Sequence, residues 1–155
     1  MPAAYHYDVP AQRPAVDAAR LWTGGAATAL VAALLTLVGI LLIRGLFGIP
    51  VLAPKGAGAW GDASTGWYAF GAAVAALVAT GLMHLLLLFT PRPLRFFGWI
   101  VALVTVAMVL APFTTDQSRA STVATAALNL VLGIAIGSLV AGSARSATDT
   151  SPERA

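Results

Sequence analysis

Four stretches of the chain run on without a single charged side chain, and the charged residues collect between them. The stretches are residues 21–43, held between Arg20 and Arg44, then 67–89, 96–113 and 121–141. A helix on the surface of a soluble bundle would show a polar face alternating with an apolar one. Leu30 to Ile43 and Leu82 to Phe89 show no such face. A bilayer hydrocarbon core about 30 Å thick takes roughly 20 helical residues. Inside it, each backbone N–H and C=O must find its partner within the protein, so each stretch predicts a transmembrane α-helix. The fold class is therefore all-α, a four-transmembrane-helix bundle with antiparallel up-down neighbours. The predicted organisation is a disordered cytoplasmic tail over 1–20, the transmembrane domain over 21–142, and a second disordered cytoplasmic tail over 143–155.

The connections carry the orientation. Arg13, Arg20, Arg92, Arg95, Arg145 and Arg154 fall on one side of the predicted membrane, whereas Arg44, Lys55 and Arg119 fall on the other. Cytoplasmic segments carry the excess of Lys and Arg, so six against three places both termini inside. Thr90-Pro91-Arg92-Pro93-Leu94-Arg95 is short and stiff, and predicts that the second and third helices are antiparallel neighbours. Its Arg92 and Arg95 are candidate contacts for anionic lipid headgroups. On the other side, Gly48 to Pro54 is apolar but broken by Pro50 and Pro54, and should lie on the membrane surface or fold back onto the bundle. The Gly-rich stretch from Lys55 to Gly66 should be mobile, with Trp60 as an interfacial anchor. Pro2, Pro10 and Pro14 mark the first twenty residues as a polar tail, and the apolar run after it is too long for a signal peptide.

Composition sharpens this picture. Of the 155 residues 59% are hydrophobic and only 10% charged, against about 25% charged in soluble domains. The net charge of +3 does not point to nucleic acid, because the basic residues sit at span ends and not on one face. With no cysteine there is no disulfide, thiolate metal site or cysteine nucleophile. Eight of the nine basic residues are Arg, and Ala and Gly are abundant, as in a GC-rich bacterial genome.

Ionisable groups inside a membrane are the first functional candidates. No Asp or Glu falls within a span, which weighs against proton- or sodium-coupled transport. His84 is the one intramembrane histidine. A zinc site takes three or four ligands, so His84 alone does not make one. It is either a packed imidazole, hydrogen-bonded to a hydroxyl or carbonyl of a neighbouring helix, or a relay or haem ligand. With Ala72, Ala76 and Thr80 it recurs every four residues and predicts one protein-facing stripe, level with Ala27 and Thr28 or with Gly137 and Ser138. On the fourth helix Asn129, Gly133, Gly137 and Ala141 form a second stripe containing a G-x-x-x-G motif. Small residues admit a close helix, and Asn129 would supply an interhelical hydrogen bond. This stripe packs either inside the monomer, against the first or second helix, or against a second copy or another subunit. There is no Ser/His/Asp set, no phosphate loop and no carboxylate pair, so neither enzyme activity nor a cofactor is expected.

Thr28-Ala29-Leu30-Val31-Ala32-Ala33-Leu34, Pro50-Val51-Leu52-Ala53-Pro54, Thr90-Pro91-Arg92-Pro93, Phe97-Gly98-Trp99-Ile100 and Asn129-Leu130-Val131 with Gly133 and Gly137 follow one another in that order. Over residues 20 to 142 the chain resembles an uncharacterised actinobacterial family of small four-span integral membrane proteins. That resemblance implies a multi-pass protein of the bacterial cell (inner) membrane and carries no catalytic residue across. The expected role is a structural or accessory membrane protein acting through helix–helix contacts. Its partners would be the lipid bilayer and, through the fourth helix, itself or another membrane subunit. The rivals are an oligomeric channel or facilitator for a small solute, and a haem-binding or redox subunit using His84.

Overall fold

The computed structural model describes residues 17–49, 51–55, 59–62, 65–114, 116 and 118–148. Both terminal tails expected from the sequence lie largely outside these residues. Four long helices make up most of the rest: α1 (Ala18–Phe47), α2 (Thr65–Phe89), α3 (Pro93–Leu110) and α4 (Arg119–Thr148). Each is long and apolar enough to cross a membrane. The protein is a four-helix, multi-pass membrane bundle.

Local chemistry sets the helix ends. Asp17 caps α1 by accepting the Arg20 N–H at 3.0 Å. Gly48, at φ 64°, closes α1 in the left-handed conformation that a side chain would disfavour. Pro91 follows the last turn of α2, and Pro93 opens α3 at a position where its missing N–H costs nothing. α1 and α4 are 30 residues each, about 45 Å, so they project beyond a core of about 30 Å. α4 thus continues to Thr148, and residues 143–148 are helical where a tail was expected. The last stretch of the third span is also different. It narrows to a 3-10 turn over Ala111–Thr114, because Pro112 cannot continue the α-helical ladder.

The two projecting ends meet. The Asp17 N–H donates to the Ala147 carbonyl at 3.3 Å, and the Arg20 guanidinium to the Ser146 carbonyl, also at 3.3 Å. The start of α1 and the finish of α4 therefore share one end of the bundle, here termed the terminal end. At the opposite end Leu52–Lys55 (β1) and Ala59–Asp62 (β2) pair antiparallel, with Leu52 opposite Asp62 and Lys55 opposite Ala59. The hairpin takes in Lys55 and residues 59–62 of the stretch expected to be mobile, pairing their backbone groups, whereas residues 56–58 and 63–64 of that stretch lie outside the described residues. β1 rests against α4, and Val51 just before it is fully buried. Pro54 is tolerated because each strand of a two-stranded ribbon is an edge. The side chains of residues 52–62, and the anchoring role expected of Trp60, fall outside the described residues.

The interior mixes many alanines with a few large side chains such as Leu21, Ile40, Met83 and Phe97, and the exterior is mostly large and apolar. Ala29, Ala32, Ala69, Ala72, Ala76, Ala126, Ala144 and Ala147 are buried, while Leu41, Leu46, Phe89, Leu103 and Ile134 are each more than 60% exposed. In water so much exposed apolar surface would aggregate. In lipid it has no cost, and the close approach of small residues is what holds helices together. The buried hydroxyls are satisfied within their own helices. Thr28, Thr36, Thr80 and Thr125 each donate to the carbonyl four residues back, at 2.8 Å.

α1 packs against α2 and α4, and α3 packs chiefly against α4. The lateral order is thus α2, α1, α4, α3. α2 and α3 share the proline turn as expected but touch much less than the other sequential partners, and a cleft separates them. The buried face of α2, Ala69, Ala72, Ala76, Thr80 and Met83, is committed to the bundle centre. α3 buries one residue of its 18, Phe97, whereas α4 buries eleven of 30.

Candidate functional site: the polar junction and the cleft beside it

The junction starts from a missing hydrogen-bond donor. In an α-helix the Met108 carbonyl would accept the N–H four residues on. Residue 112 is proline and has none. In lipid an unpaired carbonyl costs several kcal/mol. The Asn129 side chain fills the place, its Nδ2 donating to the Met108 carbonyl at 2.7 Å. The Tyr68 hydroxyl in turn donates to Asn129 Oδ1 at 2.5 Å. One amide therefore ties α2, α3 and α4 together. Asn129 is 6% exposed, so these bonds form away from water.

Below Asn129 the glycine stripe receives α3. A Cβ on Gly133 would collide with the Thr105 side chain, lying 2.9 Å from its Cβ, and one on Gly137 would lie 2.9 Å from Val101 Cγ1. The stripe is thus used inside the monomer: its glycines receive α3, not α1 or α2 as the sequence suggested, while Asn129 at its head also meets α2 through Tyr68. The reason is that α1 and α2 meet other faces of the bundle. Leu128 of α4 reaches Gly39 of α1, and Gly24 of α1 sits so close to Ser143 that an added Cβ would fall 2.6 Å from the serine Cβ. Gly25 next to it receives Thr80 of α2. Gly24-Gly25 is a point of close packing of α1 against both α4 and α2 that the glycine pair alone did not announce in the sequence.

Thr80 is buried as expected, but its hydroxyl bonds to Ala76 of its own helix, so it makes no interhelical hydrogen bond while the whole side chain packs onto Gly25. The same register puts His84 beside Trp22, ring centroids 6.5 Å apart, and not beside Ala27 and Thr28 or Gly137 and Ser138. His84 is half-buried, and its Nδ1 is shielded with no hydrogen-bond partner among the described residues. Among the described residues it makes no hydrogen bond to a neighbouring helix, in contrast to the packed, hydrogen-bonded imidazole that was one expectation. His84→Leu is therefore expected to leave stability unchanged or raise it by about 1 kcal/mol, since an unpaired buried polar atom is removed. A lower unfolding midpoint for His84→Leu in detergent would contradict this. Arg92 and Arg95 stand exposed at the α2–α3 turn. Among the described residues there is no group of three His, Asp or Glu side chains able to hold a metal ion.

Residues 16–146 match the model of a protein family described as a family of unknown function, DUF6069. The chain belongs to DUF6069. No curated protein and no solved structure matches it. Within this DUF6069 member, the polar junction forms the hairpin-side end of the cleft between α2 and α3. The cleft has a volume of about 500 Å³ and extends from Trp67 and Tyr68 past Ala75 and Val104 to Leu82 and Ile136. Its wall is apolar apart from Tyr68, Thr105, Asn129 and the indole of Trp67, and it carries no charged side chain. Of these residues the sequence reading singled out Asn129 and Gly133. Nothing in the sequence pattern marked Tyr68 as the partner of Asn129, and Thr105 and the carbonyl freed by Pro112 were missed.

Proposed function

We propose that this DUF6069 member is an accessory integral membrane protein that binds another membrane subunit through the outward face of α3. The packing of α3 carries this reading. The glycine stripe of α4, expected to pack either inside the monomer or against a partner, is filled by α3 itself. That leaves α3 as the helix with the least buried surface, presenting Trp99, Leu103, Val106 and Leu110 to the bilayer. Its contacts are concentrated on one neighbour, α4. The test uses single cysteines, which are clean because the chain has none. Leu103→Cys, carrying a short photocrosslinker in native membranes, is expected to give one discrete higher-mass adduct. Leu41→Cys on α1, equally lipid-facing, is expected to give none. Equal adducts from both positions, or none from position 103, would remove the α3 interface.

We place the termini in the cytoplasm of a bacterial inner membrane. Arg20, Arg92, Arg95 and Arg145 lie at the terminal end, with Arg13 and Arg154 in the adjoining sequence, against Arg44, Lys55 and Arg119 toward the hairpin end. Reporter fusions at Gly58 and Gln117 are expected to report the outside, and fusions at Arg95 and Ala155 the inside. A cytoplasmic signal at Gly58 reverses the assignment.

A further inference from the structure

A second groove runs along the seam between α3 and α4. Gly98, Ala102 and Val106 of α3 and Leu130, Ile134 and Ala141 of α4 line it, over the buried Phe97. The notch at Gly98 is open, since a Cβ there would meet nothing within 4 Å. The groove stops partway across the membrane. From Ala141, where the charge-free stretch of α4 ends, it reaches Leu130, 11 residues or about 16 Å away. One leaflet of the hydrocarbon core is about 15 Å deep, half of about 30 Å. A crossing helix of another subunit passes through both leaflets, whereas this groove serves only the one at the terminal end.

Charge sits at one end only. Arg145 is the one charged residue on the wall, and it lies four residues, about 6 Å, beyond Ala141. That is the level of the headgroups, a layer of about 5–7 Å on each side of the core. Arg95 stands two turns before Ala102, on the same side of α3, and immediately precedes the charge-free stretch 96–113. Both arginines are exposed, and neither guanidinium has a hydrogen bond or ion pair among the described residues. None of the four helices contains Asp or Glu. A second copy docked in the same orientation would bring its own Arg20, Arg92, Arg95 or Arg145 to this level, and like charges repel. The complementary occupant has a negative charge at headgroup depth and an apolar tail one leaflet long.

We propose that the α3–α4 groove binds an anionic glycerophospholipid of the terminal-side leaflet, its phosphate between Arg95 and Arg145 and one acyl chain running past Gly98 toward Leu130. This site is additional to the accessory role and does not rest on it. Of the residues named for the partner-binding face of α3, only Val106 also lines the groove.

The test titrates the full chain in detergent with dioleoyl phosphatidylglycerol or dioleoyl phosphatidylcholine and counts retained lipids by native mass spectrometry. One phosphatidylglycerol is expected to bind about tenfold or more tighter than later ones and than any phosphatidylcholine, as two unpaired arginines require. Arg95→Gln combined with Arg145→Gln is expected to abolish that preference. Gly98→Phe fills the notch and is expected to weaken the first phosphatidylglycerol by about tenfold or more. Gly45→Phe, at an equally open glycine of α1, is expected to leave it unchanged. Glycerol phosphate carries the charge without the chains and is expected not to displace it. Equal retention of the two lipids, an unchanged preference in the double arginine variant, full binding by Gly98→Phe, equal weakening by Gly45→Phe, displacement by glycerol phosphate, or a dimer that Gly98→Phe converts to monomer would each overturn the proposal.

Discussion

Asn129→Leu is expected to destabilise the bundle by about 2–4 kcal/mol, and Pro112→Ala to relieve a large part of that loss. Leucine removes two interhelical hydrogen bonds and strands the Met108 carbonyl and the Tyr68 hydroxyl in an apolar surround. Hydrogen bonds within membranes average only about 0.6 kcal/mol, because the unfolded chain in lipid also finds partners. The stranded carbonyl adds the larger share, about 1–3 kcal/mol. Pro112→Ala supplies a backbone N–H to that carbonyl, so the two substitutions are coupled. Unfolding in mixed micelles across the four-member cycle should return a coupling of about 1 kcal/mol or more, with the double variant more stable than Asn129→Leu alone. Additive losses would mean that Asn129 does not replace the donor that Pro112 removes. Tyr68→Phe should cost less, about 1 kcal/mol, since it removes one bond and leaves the Asn129–Met108 link intact.

Gly133→Ala is the second large effect. The added Cβ would lie 2.9 Å from Thr105 Cβ, an atom fixed by the backbone that cannot swing away. Either α3 moves off α4 or the backbone distorts, and overpacking of this kind costs about 1–3 kcal/mol. Gly133→Ile should exceed it. Thr105→Gly in the same chain removes the obstructing carbon, and the pair Gly133→Ala with Thr105→Gly should recover stability despite the weaker helix propensity of glycine, about 1 kcal/mol. Thermal unfolding in detergent checks the order. The same loss in Gly133→Ala whether or not Thr105 is trimmed would place the glycine against something other than α3.

The four helices were legible because the bilayer imposes length and apolarity on each segment separately. Residues 21–43 sit inside α1, and 121–141 inside α4, without any knowledge of the neighbours. Lateral order was not legible. In lipid no hydrophobic force selects partners, and Ala- and Gly-rich faces occur on α1, α2 and α4 alike. Asn129 and Gly133 were identified as packing residues from their spacing, yet the helix that Gly133 receives is α3, which carries fewer small residues of its own. One signal pointed there. Pro112, four residues beyond Met108, frees a carbonyl at the end of the third span, and Asn129 is an intramembrane amide in need of a partner. For His84 the four-residue spacing overstated the case. The helix drifts by about 40° over four residues at 3.6 per turn, so a stripe that is buried at Ala72 and Ala76 has turned toward its edge by His84. The hairpin was hidden by composition, since glycine and proline usually mark mobile connections and a two-stranded ribbon has no alternating apolar face to announce it.

The glycines of the α4 stripe close on α3 within one chain. The built Cβ of Gly137 lies 3.8 Å from Val101 Cβ, the mean separation of about 3.8 Å found across disulfides. Gly137→Cys combined with Val101→Cys should therefore oxidise in native membranes to an internal disulfide. The product should run as a monomer whose thiols no longer react with a maleimide polymer until it is reduced. Two reactive thiols after oxidation, or a disulfide-linked dimer formed by Gly137→Cys alone, would contradict the account.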